Sequence, residues 1–213
     1  MDFLDSKISQ YAEEHTTDEN TVLKKLNAET YSNVPHPQML SGHMQGRILA
    51  MVSKLVKPKY ILEIGTYTGY SAICLCEGLQ EGGKLFTIDI NNELEAINKK
   101  YFDKAGISDK IERVTGNALE IIPMLEINFD LVFIDADKTN YANYYDMVFD
   151  KINSGGIVLA DNVLWSGKIL EDEKDMDEDT RALFEFNKKI MSDDRVENIL
   201  LPVRDGLMII RKK

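Results

Sequence analysis

Apolar residues recur along this chain in two rhythms, and the rhythm changes near Tyr60. Up to that point the spacing is helical. Residues 3–14 and 19–32 mix strong helix formers with intermittent apolar positions, and Asp18 is placed to cap the second stretch. Ser32-Asn33-Val34-Pro35-His36-Pro37 then breaks the helix, because a proline disfavours helical backbone at the residue before it. Residues 43–56 resume a helical pattern, with Ile48, Leu49, Val52, Leu55 and Val56 on one face, and Lys57-Pro58-Lys59 ends it. Beyond Tyr60, short apolar runs alternate with helical stretches. Strands are predicted over 60–64, 84–89, 110–115, 129–135 and 156–161, and helices over 69–80, 92–105, 118–124 and 141–152. Glu81-Gly82-Gly83 and Ser154-Gly155-Gly156 mark turns. A last helix, 179–192, precedes strands Val196–Pro202 and Gly206–Arg211, which the hairpin signal Arg204-Asp205-Gly206 joins. This alternation predicts an α/β fold: a mostly parallel sheet with helices on both faces and an antiparallel C-terminal strand. A single domain is expected, with a helical cap over 1–56 and the α/β core over 57–213.

Composition changes the picture only by exclusion. The 213 residues are 44% apolar and 29% charged, as in ordinary globular proteins. No apolar run reaches the ~20 residues of a membrane span. Met1-Asp2-Phe3-Leu4-Asp5 lacks the basic-then-apolar pattern of a secretory leader, so a cytoplasmic protein with no membrane partner is expected. The net charge of −11 disfavours non-specific binding to nucleic acid, which rests on Lys and Arg neutralising phosphates. Part of that acid lies in the run 171–179, expected to be a solvated loop and helix start. Cys74 and Cys76, two residues apart on a helix, point about 200° from each other, so they are expected as small buried residues without a disulfide or shared metal.

The candidate chemistry sits at strand ends. Phe129-Asp130-Leu131-Val132-Phe133-Ile134-Asp135-Ala136-Asp137-Lys138 and Gly155-Gly156-Ile157-Val158-Leu159-Ala160-Asp161-Asn162 are apolar strands that run into carboxylates. Parallel α/β sheets bind ligands at the carboxyl ends of their strands. Asp135, Asp161 and Asn162 would therefore meet in one crevice with Lys138 beside them. Few, hard oxygen donors suit Mg²⁺, or a substitute such as Mn²⁺ or Ca²⁺. The first sheet strand delivers Leu62-Glu63-Ile64-Gly65-Thr66-Tyr67-Thr68-Gly69-Tyr70-Ser71. Its Gly-x-x-x-Gly spacing is neither the dinucleotide fingerprint nor a P-loop. The next strand ends at Asp89, about 20 residues on, where a carboxylate can bind ribose hydroxyls. Asn117-Ala118 after the third could meet an adenine edge. A nucleoside site without a phosphate grip matches S-adenosylmethionine. Glu63 inside a strand costs several kcal/mol if buried and unpaired. It is read as ordering the loop or holding the cofactor, with a structural partner as the alternative.

These motifs, with Ala160-Asp161-Asn162-Val163-Leu164-Trp165-Ser166-Gly167 and Asp205-Gly206-Leu207, stand in an order and spacing that resembles family 3 class I O-methyltransferases, the caffeoyl-CoA and catechol type. The resemblance spans about residues 30–211. It implies a seven-stranded Rossmann-like sheet, S-adenosylmethionine as methyl donor, and Mg²⁺ on the counterparts of Asp135, Asp161 and Asn162. Lys138 matches the general base. Glu63, Gly65, Tyr67, Ser71, Asp89, Asn117, Ala118 and Asp135 fall at the cofactor. Met39 and Ser41 match the segment that closes over the methyl donor, Met39 reaching the acceptor as well. Family members commonly form homodimers. The animal catechol enzymes carry a glutamate shortly before the Asp-Gly pair; here the region reads Leu201-Pro202-Val203-Arg204. The expected acceptor is a small phenol of catechol or hydroxycinnamoyl type. The alternatives are a hydroxylated uridine in tRNA, disfavoured by the net charge, and a non-catalytic nucleoside-binding protein. Trp165 is read as either a core anchor or an acceptor wall. Tyr141, Tyr144 and Tyr145 are expected to pack along a helix. His36 and His43 flank 39–41 and are expected at the surface, with a place at the acceptor mouth as the alternative.

Overall fold

A computed structural model describes residues 5–213, so the first two positions of the predicted helix 3–14 lie outside the described residues. Seven strands among the described residues form one sheet: β1 (Tyr60–Ile64), β2 (Lys84–Asp89), β3 (Ile111–Thr115), β4 (Phe129–Ile134), β5 (Ile152–Asp161), β6 (Val196–Leu201) and β7 (Leu207–Lys212). Their order is β3-β2-β1-β4-β5-β7-β6. The first five run parallel, and β7 is antiparallel to both β5 and β6. The chain builds outward from β1 to β3, then returns to the other side of β1 with β4 and β5. The order therefore reverses between β1 and β4, which is where open α/β sheets leave a crevice at their carboxyl ends.

Alternation along the strands divides the core in two. Leu62, Ile64, Val132 and Ile134 face a layer made by α6 (Ala118–Met124), α7 (Tyr141–Phe149) and α8 (Glu178–Met191). Ile61, Leu85, Leu131 and Phe133 face α2 (Thr21–Asn33), α3 (Gly42–Val56), α4 (Tyr70–Cys76) and α5 (Glu95–Ala105). The central strands are buried on both faces, so they read as continuous apolar runs. Each fully buried Leu, Ile or Phe contributes roughly 1.5–3 kcal/mol. The remaining helix, α1 (Ser6–Glu14), buries no residue, and Asp5 caps it by accepting the Lys7 N–H at 2.8 Å. No helix of the described residues is long and apolar enough to cross a membrane.

The structure corrects several predicted boundaries. Asn20, not Asp18, caps α2, its side chain accepting from Val22 and Leu23 at 3.0 Å; Asp18 pairs with Lys24 instead. The helix predicted over 69–80 stops at Cys76, because Gly78 lies against α3 so closely that a Cβ there would sit 2.1 Å from the Ser53 carbonyl carbon. The helix predicted from 92 begins at Glu95, after Asp89 and Asn91 accept from the N–H groups of Asn91 and Glu93 and turn the chain first. The helix predicted over 141–152 ends at Phe149, since Ile152 already pairs with Phe129 in the sheet. Ser154-Gly155-Gly156 does not separate helix from strand. It is a bulge inside β5, where the register jumps from Phe129↔Ile152 to Leu131↔Ile157 and Gly155 takes φ +79°.

Candidate active site

A crevice of about 1000 Å³ opens at the carboxyl ends of β1 to β5, on the line where the strand order reverses. Its floor is the pair of adjacent carboxyl ends of β1 and β4. Gly65 leaves β1 at φ +102°, and a Cβ on it would lie 2.0 Å from the Asp135 carbonyl oxygen, so only glycine lets the two strand ends approach this closely. One half of the crevice follows β1 to β3. Asp89, the last residue of β2, accepts from the Thr66 N–H at 3.0 Å and the Tyr67 N–H at 2.7 Å through Oδ2, and from Asn91 through Oδ1 at 2.8 Å. Its carboxylate thus fixes the loop after β1 with main-chain donors. Tyr67, held at φ +47°, sends its hydroxyl to the carbonyls of Pro35 and His36 at 3.0 and 3.2 Å, tying the loop to the segment that bears Met39. Asn117 caps α6, accepting from Leu119 at 3.0 Å, and Ser71, Asn117 and Ala118 line the wall.

Glu63 lies beneath this half, fully buried. Thr66 and Thr87 share a hydroxyl bond of 2.6 Å, and Thr87 donates to Glu63 Oε2 at 2.5 Å. Glu63 Oε1 has no partner among the described residues. Burial pushes the carboxyl up to about 8. Above it, the Asp89 carboxylate at the edge of the recess fits a cofactor that carries hydroxyls.

The other half follows β4 and β5. Lys138, in a 3₁₀ turn after β4, is buried; its Nζ donates to Tyr141 Oη at 2.7 Å, Asn162 Oδ1 at 2.8 Å and Asp135 Oδ1 at 3.2 Å. Asp161, the last residue of β5, is buried too. Its Oδ1 accepts from the Asn162 N–H at 2.8 Å, and its Oδ2 from Gln45 Nε2 at 2.6 Å. Burial, then the nearby Asp135 charge, pushes the Asp161 carboxyl above its ordinary value. Asn162 takes φ +60°, which asparagine tolerates better than other side chains. Trp165 stands over Lys138, its ring centroid 5.7 Å from Nζ. Gly206 and Asp205, in the β6–β7 turn, accept from the N–H groups of Val163 at 3.2 Å and Leu164 at 2.9 Å, and the Asp205 side chain accepts from Ser166. A Cβ at Gly206 would lie 2.5 Å from Leu164, so the turn and the Trp165 loop lock together.

Among the described residues, no three His, Cys, Asp or Glu side chains converge on one point. The donor set is of another kind: two carboxylates and an amide oxygen, all hard, around a buried lysine ammonium that touches two of the three. That cation marks a place where positive charge is stabilised, and the set fits a hard divalent ion that keeps water in its shell.

All the predicted site residues except Glu63 line the crevice itself, Met39 at its exposed mouth and Ser41 buried ahead of α3. His36 also lines it, in a left-handed conformation at φ +56°, whereas His43 turns away to the Thr17 carbonyl at 2.8 Å. Tyr141 does more than pack. It receives the Lys138 bond and donates to the Asp161 carbonyl at 2.9 Å, and its place three residues after Lys138 on the next helical turn was the available signal. Tyr144 donates to Asp137 and Tyr145 to Asp193. Gln45 and Arg204 carry no local motif and were not anticipated. Arg204 reaches Gln45 Oε1 at 2.7 Å from the far end of the chain.

The family of sequences described as O-methyltransferase matches residues 13–213. A caffeoyl-CoA O-methyltransferase of Petroselinum crispum is 36% identical over 205 residues, covering 91% of this chain and 85% of that protein. One from Zea mays is 37% identical over 201 residues, covering 89% and 78%. Among solved structures, the SAH-bound methyltransferase of Podospora anserina superposes with a TM-score of 0.88 at 30% identity, covering 98% of this chain and 94% of that one. The O-methyltransferase of Bacillus cereus in complex with SAH gives 0.88 at 27% identity, with 97% of each chain covered.

Proposed function

The chain belongs to the O-methyltransferase family, and from that premise we propose that it moves the methyl group of S-adenosylmethionine onto a hydroxyl of a small phenol of catechol or hydroxycinnamoyl type. The observation that supports this reading best is the meeting of two unlike half-sites at the adjacent ends of β1 and β4. One is a recess edged by Asp89, and the other a set of oxygen donors with the Lys138 amine 2.8–3.2 Å from two of them. Residues 1–213 act as one unit, the N-terminal helices forming a cap over the core.

On the donor side, Asp89 takes the ribose hydroxyls, and Asn117 and Ala118 meet the adenine. Ser71, with the loop at Gly65 and Tyr67, cradles the amino-acid tail above Glu63. Met39 and Ser41 close over the methyl group. On the acceptor side, Asp135, Asp161 and Asn162 would hold Mg²⁺, or Mn²⁺ or Ca²⁺ in its place; when bound, the ion supplies Lewis-acid polarisation of the acceptor oxygens. Trp165 and Met39 wall the aromatic ring. Lys138 takes the hydroxyl proton on Nζ, while Tyr141 holds that nitrogen in place. The acceptor oxygen attacks the methyl carbon as the S–C bond breaks. The electron pair of that bond passes to sulfur, and neutral S-adenosylhomocysteine leaves. Alignment of the three atoms by the two half-sites is where most of the rate arises. The same reading gives a cytoplasmic homodimer.

Labelled S-adenosylmethionine, offered with Mg²⁺ to a catechol panel and in parallel to bulk tRNA, tests this. Label should enter a catechol, vanish in EDTA, and fall about a hundredfold or more in rate with Lys138→Met, the scale of a lost general base. Label entering tRNA alone would reassign the acceptor, and full transfer in EDTA would remove the metal.

A further inference from the structure

Gln45 lies in the first turn of α3, 3% exposed, and both ends of its amide are engaged. Nε2 donates to Asp161 Oδ2 at 2.6 Å, and Oε1 accepts from Arg204 Nη1 at 2.7 Å. The orientation of an amide is fixed by its neighbours, and a guanidinium has donors only. With Arg204 on one side, the carbonyl end must face the arginine and the NH₂ end must face Asp161. The same guanidinium donates through Nη1 to the Ser41 carbonyl and through Nη2 to the Leu40 carbonyl at 3.3 Å. These three acceptors converge from two directions. A planar fork of donors meets them, whereas a lysine ammonium would reach them only in part.

The backbone adds a separate observation. Arg204 holds φ +51° in the β6–β7 turn, a left-handed conformation that side-chain-bearing residues seldom adopt and that glycine adopts freely. The turn itself would be easier without this side chain, so its contacts are made at a conformational cost.

We propose that Arg204 is a positioning residue that sets both halves of the crevice: through the Gln45 amide it fixes the carboxylate of Asp161, and through the Leu40 and Ser41 carbonyls it fixes the segment that closes over the methyl donor. The proposal rests on the reading in which Asp161 holds a divalent ion.

The test is calorimetric titration of Mn²⁺ and, separately, of S-adenosylhomocysteine into the full-length protein and into Arg204→Gly, Arg204→Lys, Gln45→Leu and the double variant Arg204→Gly/Gln45→Leu. Arg204→Gly relaxes the turn, so it keeps the fold, and circular dichroism verifies this for each variant. Partners behind metal ligands typically change affinity 10–100-fold. Arg204→Gly and Gln45→Leu should therefore each weaken Mn²⁺ about tenfold or more. The double variant should be no weaker than about the worse single one, because the two residues act in series. Only Arg204→Gly should also weaken S-adenosylhomocysteine, by a few-fold. Arg204→Lys should recover part of both losses, and added guanidinium at low millimolar concentration should recover Mn²⁺ affinity in Arg204→Gly but not in Gln45→Leu. Mn²⁺ affinity within about twofold of the unaltered protein in both folded single variants overturns the relay and leaves the metal reading intact. Additive losses overturn the serial arrangement. An unaltered protein that binds no Mn²⁺ overturns the metal reading and the relay together.

Discussion

The two halves of the crevice hold their carboxylates by different means. On the donor side, Asp89 is satisfied by three main-chain N–H groups, from Thr66, Tyr67 and Asn91. Those donors are placed by the strand–loop–helix path and have no other conformation to adopt. On the acceptor side, Asp135 and Asp161 lean on side chains: Lys138, Gln45 and, for one oxygen of Asp161, a neighbouring N–H. Burial, then the Asp135 charge beside it, raises the Asp161 carboxyl above its ordinary value. A carboxylate cradled by backbone is settled once the chain folds, and what remains exposed is its capacity to accept hydroxyls. A pair of carboxylates held by side chains depends on where those side chains are placed. One half is therefore held by the backbone path, and the other by side chains brought in from α3 and from the turn after β4.

The largest expected effect separates the halves at Asp161. Asp161→Asn should abolish Mn²⁺ binding and lower turnover by roughly a thousandfold, the scale of several kcal/mol of lost polarisation. Affinity for S-adenosylhomocysteine, read by the same calorimetry, should stay within about threefold. A matching loss of cofactor affinity would mean the halves are not separate. The mirror experiment is Asp89→Asn, in which one amide end must face N–H groups that need an acceptor. Cofactor affinity should fall tenfold or more, from roughly 1.5–3 kcal/mol per charge-assisted bond, with Mn²⁺ affinity unchanged.

A third effect, on stability rather than on binding, concerns Glu63, a buried donor-side carboxyl held by a side-chain hydroxyl. Its carboxyl rises from 4.5 to about 8 on folding because burial disfavours the charge. The folded state therefore binds more protons than the unfolded chain between those values, and stability must fall as pH rises across them. Below about 4.5 the cost is absent, and above about 8 it is complete. Glu63→Gln removes it, so in the cofactor-free protein its melting temperature should match the unaltered one near pH 5 and exceed it increasingly towards pH 9. The difference is on the order of a few kcal/mol at most, at about 1.4 kcal/mol per pH unit. Parallel melting curves at pH 5 and pH 9 would show that the Glu63 carboxyl is not desolvated.

What could be read from the chain beforehand was whatever local pattern controls. Short apolar runs located the strands, and the strand-end carboxylates pointed to both halves, because a parallel sheet sends all its carboxyl ends to one side. Boundaries set by contacts elsewhere were misplaced. Asn20 displaced Asp18 as a cap by a shift of two residues, and Gly78 ended α4 because α3 lies against it. Ser154-Gly155-Gly156 reads as a turn in isolation, and only the partner strand shows it to be a bulge. Gln45 and Arg204 were illegible for the same reason: Gln45 meets Asp161 across 116 residues of sequence, and Arg204 meets Gln45 across 159. A single buried glutamine in a helix carries no pattern to announce such a partner. Tyr141 was half legible, placed on the helix by spacing, but with the destination of its hydroxyl hidden.

The interlock between the β6–β7 turn and the Trp165 loop bears on how this scaffold can be retargeted. Val163, Leu164 and Ser166 bond to Asp205 and Gly206, and Gly206 leaves no room for a Cβ against Leu164. The rim over the acceptor is therefore a two-piece cassette whose parts have to match each other. Grafting the 163–167 loop of another enzyme alone would bring in a loop cut for a different turn. Moving it together with Asp205-Gly206, with Arg204 kept, transplants a fitted pair. Libraries aimed at new acceptors should recombine the two segments as one unit and leave Gly65 untouched.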